Sequence, residues 1–210
     1  MKTNLRTSVR LFSALAASAG LAVAAPLAFD FKDPKGVNNV QFKLDAPLES
    51  ITGTATGISG TVTFDPAEPA ATSGRIVLDA ASLTVGNPLM GEHLRSDQWL
   101  DVARHPTIVF EAVALRNVRP QGGQILADVT GRLTVKGVTR DLTAPVTLTF
   151  LADKLGARVN DPKVKGDLLV LRTNFAINRS DFGLKAGQMA DKVAETIELS
   201  LSIAGAAPRS

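Results

Sequence analysis

Along most of the chain, apolar and polar residues alternate one by one. In ILADVTGRLTVKG, residues 125–137, the odd positions Ile125, Ala127, Val129, Leu133 and Val135 are apolar or small, and Asp128, Thr130, Arg132, Thr134 and Lys136 lie between them. A helix would spread these residues around its circumference, whereas a strand sorts them onto two faces. The next segment, VTRDLTAPVTLTF, repeats the pattern, with Val138, Leu142, Val146, Leu148 and Phe150 on one parity and Thr139, Asp141, Thr143, Thr147 and Thr149 on the other. Gly137 between them predicts a hairpin, and Pro145, which has no N–H, predicts an edge or a bulge in the second strand. ETIELSLSI sets Ile197, Leu199, Leu201 and Ile203 against Glu198, Ser200 and Ser202.

AFDFK, VQFKLD, GTVTFD, GRIVLDA, PTIVFEAVAL and DLLVLRTNFAIN read as further strands, bringing the total to eight or nine. PTIVFEAVAL and Leu168–Leu171 are apolar on both faces, which leaves their inward parity open. Turn residues separate the strands at Asp33-Pro34-Lys35-Gly36, Asp65-Pro66, Gly122-Gly123 and Asn160-Asp161-Pro162. Many short strands at this spacing predict a sandwich or an antiparallel barrel. One interval reads differently: Asn87 is placed to cap a helix with Pro88 at its first position, over residues 88–95, and Ser96-Asp97 offers a second start before Pro106 forces extended backbone.

Residues 1–10 carry Lys2, Arg6 and Arg10 without an acid, and LFSALAASAGLAVA follows, ending in the small-x-small pattern Ala22-Val23-Ala24. The run is short for a membrane span and reads as a cleavable secretory signal over residues 1–24. The whole chain has 23 basic and 20 acidic residues; the three in this segment leave 20 of each, so the remainder is formally neutral. No basic footprint for nucleic acid is left, and no integral membrane segment is expected in the mature chain. An exported chain with no cysteine must be held by its own core, and 186 of the 210 residues suffice for one domain.

The stretch EHLRSDQWLDVARHPTIVFE contains both histidines, the single tryptophan and four carboxylates. Imidazoles and carboxylates suit zinc or iron, but His93 and His105 are twelve residues apart across a change of secondary structure, without an HExxH pairing. GISG at residues 57–60 falls short of a nucleophile elbow, and no GxxxxGK or GxGxxG phosphate loop is present. Nothing singles out a carboxylate pair for glycoside hydrolysis, and no cofactor or metal is expected. Trp99, flanked by Leu94, Leu100 and Val102, suits either a lid over a barrel mouth or an ordinary helix-on-sheet contact.

HLRSDQWLDVARHPTIVFE, then VTGRLTVKGVTRDLTAPVTL, then FAINRSDFG, together with GISGTVTFDP, resemble the blocks of the YceI-like family of exported proteins, in the family's order. The resemblance implies an all-β, eight-stranded, antiparallel, lipocalin-like barrel over residues 25–204, with one or two short helices near its mouth and a flexible tail over 205–210. It further implies a polyisoprenoid or similar long-chain amphiphilic lipid in an apolar lumen, and a periplasmic or secreted, non-enzymatic carrier. Combined with strand parity, it places Val62, Phe64, Ile76, Leu78, Ile108, Phe110, Leu133, Val135, Leu148, Phe150, Leu169, Leu171, Phe175, Leu199 and Leu201 on the lumen wall, with Leu94 and Trp99 near one mouth.

His93, Arg179 and Asp181 are candidate rim contacts to a polar head group. They also have structural alternatives: His93 as part of the helix cap, Asp181 paired with Arg179 or bonded in a turn that Gly183 closes with a positive φ. Where the family pattern has a histidine after the second strand, this chain has Asp45; if that histidine meets a polar head group, the ligand of this chain is expected to have a different head or none. Two other functions compete with the carrier: a metal-assisted hydrolase built on His93 and His105, and a filled barrel with a structural or stress-protective role.

Overall fold

Strands that alternate singly can all turn one face to a shared interior, and here the first strands return to the last to enclose it. The computed structural model describes residues 25–209; the signal-like segment 1–24 lies outside the described residues. In chain order the elements are β1 (Leu27–Asp30), β2 (Asn39–Asp45), β3 (Ser50–Ala55), β4 (Ile58–Phe64), β5 (Ser73–Asp79), β6 (Thr84–Val85), α1 (Pro88–Arg95), β7 (Thr107–Gln121), β8 (Gln124–Val135), β9 (Val138–Leu151), α2 (Leu155–Val159), β10 (Lys165–Asn178) and β11 (Thr196–Arg209). Ten of the eleven segments fill eight positions of a closed antiparallel barrel, because β1 with β2, and β3 with β4, are each two halves of one wall strand, while the two-residue β6 pairs only with β3. The ring runs β1/β2, β4/β3, β5, β7, β8, β9, β10, β11 and back to β1/β2.

Closure at the break between β1 and β2 depends on Asn38, which is 2% exposed. Its amide accepts from the Ala204 N–H at 2.8 Å and donates to the Ala204 carbonyl at 3.0 Å, so a side chain takes a strand neighbour's place on β11. Asp33 shapes the same connection by accepting the N–H groups of Lys35, Val37 and Asn38. Burial works against its charge, but those donors and the Arg158 guanidinium outweigh it and hold the Asp33 pKa below its ordinary value. The second break, at the free edge of β3, is filled by β6, on which α1 packs.

Several expectations are corrected. Residues 205–209 do not form a tail: they continue β11 beside β10, and Gly205 lies so close to Phe31 that an added Cβ would sit 2.6 Å from the ring. Of the short helices, α1 forms over Pro88–Arg95 with the Asn87 side chain capping Met90 N–H, but the Ser96-Asp97 stretch turns without becoming helical. The second helix, α2, lies at the opposite end and covers the outer face of β10, which is why Leu168 is apolar and buried although it points away from the lumen. In β7, a bulge at Ala112/Ala114 switches the inward parity from Ile108, Phe110 and Ala112 to Leu115 and leaves Val113 exposed, and a second irregularity follows at Arg116/Arg119. This accounts for the two apolar faces of that segment.

Candidate functional site

The barrel interior holds a cavity of about 260 Å³. Of the seventeen residues expected around it, the wall includes Val62, Ile76, Leu78, Leu94, Trp99, Ile108, Phe110, Leu133, Val135, Leu148, Leu171, Phe175, Leu199 and Leu201. Strand parity puts them there: on β8 the odd residues face in, on β9 the even ones, and the paired strands keep the alternation in step. Sequence reasoning missed Val40, Phe42 and Leu44 on β2, Ile58, Leu83, Val129, Val146, Ile197 and Ile203, all of which face the same space. The alternation of VQFKLD already carried the signal for the β2 trio.

Phe64, Phe150 and Leu169 do not line the cavity. They point inward as parity requires, but one layer lower, where Phe29, Phe64 and Phe150 pack with ring centroids 6.0–6.3 Å apart and close that end as a floor. Leu169, Phe29, Phe31 and Phe64 are each 0% exposed.

The other end carries a lid. After α1 the chain folds back on itself, with Leu100 N–H bonded to the Leu94 carbonyl and Val102 N–H to that of Arg95, which aims Leu94, Trp99 and Leu100 at the lumen. Arg95 ties α1 to the Leu83 carbonyl at 2.9 Å, Lys136 reaches the Asp97 carbonyl at 3.1 Å, and Lys185 bonds Gln98 at 2.8 Å.

The head-group candidates do not gather at a rim. Arg179 faces the cavity but is 1% exposed, and its N–H groups are committed to the carbonyls of Ala194, Leu184, Lys185 and Gln188, with Glu195 at 3.7 Å. Hydrogen bonds from Ser180, together with Arg179, hold the Glu195 carboxyl below its ordinary pKa against the opposing effect of desolvation. Asp181 is exposed and pairs with neither Arg179 nor the turn, although Gly183 does close that turn at φ 69°. The His93 imidazole is exposed on α1, and only its carbonyl serves the helix end, accepting from Ser96.

His105 packs against the β8–β9 turn, 2.8 Å from where a Cβ on Gly137 would stand. Asp101 is held by Arg104 at 2.6 Å, which together with the nearby His105 lowers its pKa despite desolvation. Among the described residues, no three histidine or carboxylate side chains converge as a metal-ligand set. Among the described residues, the polar ones on the cavity wall besides Arg179 are Thr72 and Thr173, and their hydroxyls donate to the Pro69 and Pro145 carbonyls.

A family model described as the YceI-like domain matches residues 33–204. The chain belongs to the YceI-like family. Among YceI-like relatives, a UPF0312 protein of Pseudomonas savastanoi pv. phaseolicola is 30% identical over 189 residues, 90% of each chain. Protein YceI of Escherichia coli O157:H7 is 29% identical over 194 residues, covering 92% of this chain and 93% of that one. Among solved structures, BcnA of Burkholderia cenocepacia superposes with a TM-score of 0.65 at 22% identity, over 80% of this chain and 95% of its own. A polyisoprenoid binding domain from Saccharophagus degradans gives a TM-score of 0.63 at 14% identity, over 87% and 99%. At these identities the two structures establish the YceI-like barrel, and no more than the fold.

Proposed function

We propose that the protein is an exported carrier, periplasmic or secreted, that holds the apolar chain of a polyisoprenoid or similar amphiphilic lipid in the barrel lumen and performs no chemistry on it. The observation that carries this reading is a cavity of about 260 Å³ in the barrel interior that side chains leave unfilled and whose wall is apolar apart from groups already hydrogen-bonded. Such a space does not attract water, which needs several polar partners, but it suits hydrocarbon. The unfilled volume speaks against a solid structural barrel. The separate settings of His93 and His105 offer little to a metal-assisted hydrolase.

The size of the cavity limits what it encloses. A dry cavity of about 150 Å³ accommodates benzene, so a space of 260 Å³ takes on the order of ten carbons. At about 0.8 kcal/mol per methylene, ten carbons gain about 8 kcal/mol before association costs, so affinity tighter than about 1 μM requires contacts beyond the lumen.

The test is native mass spectrometry and organic extraction of protein purified from its own cells. A copurified lipid is expected from the natural chain and none from Phe175→Asp, provided circular dichroism shows that variant folded. Protein that is empty under native conditions and takes up no added lipid would sink the carrier reading.

A further inference from the structure

The barrel wall has three interruptions in its backbone ladder, and only two are filled. Asn38 closes the one beside β11, and β6, backed by α1, closes the one at β3. The third lies between β9 and β10. Their pairing runs from Leu151↔Leu168 to Thr147↔Arg172 and stops, although both strands continue toward the lid, β9 back to Val138 and β10 on to Asn178. Continuing that register would set Val146 against Thr173, Ala144 against Phe175 and Leu142 against Ile177, and none of these pairs forms.

Pro145 supplies the cause. In a strand, a residue's N–H and C=O point to the same side, and the Pro145 carbonyl accepts from Thr173 on β10. The pyrrolidine ring therefore stands where β9 would offer its next donor to β10, while pairing with β8 continues undisturbed through Asp128↔Pro145. A single side-chain bond from Thr173 spans the seam at this point. The six residues that flank it from within, Leu142, Ala144, Val146, Thr173, Phe175 and Ile177, all line the lumen.

We propose that this seam is the lateral entrance of the lumen, through which the chain of an amphiphile passes while its polar end stays outside. The inference rests on the carrier reading. The floor is closed by the phenylalanine cluster, and the lid is pinned by Arg95, Lys136 and Lys185. Inside, every guanidinium nitrogen of Arg179 and the hydroxyls of Thr72 and Thr173 already have an acceptor, so a head group would have to compete for them there. Outside, the seam is bordered by the exposed polar residues Asp141, Thr143, Asn174 and Asn178. A chain longer than about ten carbons also needs a way out through the wall, and the seam provides it.

The test exploits the absence of cysteine from the natural sequence. A Thr143→Cys/Ala176→Cys pair across the seam and a Gln98→Cys/Lys185→Cys pair across the lid are each bridged with a short bis-maleimide. Release of bound dansylaminoundecanoic acid into excess unlabelled phosphatidylcholine vesicles is then followed by fluorescence. Bridging the seam is expected to slow release about tenfold, and bridging the lid to change it less than about twofold. Pro145→Val, which restores the missing N–H, is expected to slow release without any cross-link. Slowing by the lid bridge alone, equal slowing by both, or release indifferent to the seam bridge would overturn the entrance. Failure of the unbridged protein to bind the probe at all would overturn the carrier reading beneath it.

Discussion

A guanidinium with 1% of its surface exposed is costly unless its donors are satisfied, and Arg179 meets that condition with four main-chain carbonyls and the Glu195 carboxylate. Those carbonyls belong to residues 184–194, a segment with little ladder of its own, so one side chain organises the coil that leads into β11. Arg179→Met keeps the volume but leaves the carbonyls without a donor, and should cost about 3 kcal/mol, read as a lower urea midpoint. Arg179→Lys should recover only part of this, since an ammonium cannot reproduce the planar fork. INRSDFG identified the residue but not its partners: the acceptors are main-chain oxygens in irregular coil, to which no side-chain pattern points.

Among the elements, what local periodicity encodes was legible and what neighbouring strands impose was not. The Asn87-Pro88 start of α1, the Gly137 hairpin and the inward faces of β8, β9 and β11 follow from spacing alone. The bulges of β7 and the continuation of β11 to Arg209 depend on pairing partners far along the chain. Pro145 fell between the two: its missing donor was visible, but not that the strand stays paired on one side and opens on the other. The β1–β2 connection yields a pH prediction. Because the folded pKa of Asp33 is depressed, its contribution is fully present above the unfolded value near 3.8 and is lost as the pH falls through the folded value. Asp33→Asn turns an amide N–H₂ toward backbone donors and should cost about 2 kcal/mol at pH 7. The gap between variant and wild type should narrow in urea titrations below about pH 4.

At the scale of the whole molecule, the sandwich-or-barrel choice left open by alternation is decided by closure, which depends on the Asn38 amide and the pairing of β11 with both β1 and β2. Parity told which side chains face inward but not how deep each sits. Phe64, Phe150 and Leu169 were therefore assigned to a wall when they belong to its floor. If that floor limits chain length, Phe150→Ala should cost about 3–5 kcal/mol in stability and shift the extracted lipids toward chains longer by several carbons, as read by mass spectrometry. The layout of the strands also bears on handling the protein. Leu27, where β1 begins opposite Phe64, and Arg209, where β11 stops beside Lys165, both lie at the floor end. A biosensor surface or fluorescent fusion coupled beyond either residue would hold the barrel upright, with α1 and the β9–β10 seam facing the sample, so immobilisation need not obstruct ligand uptake.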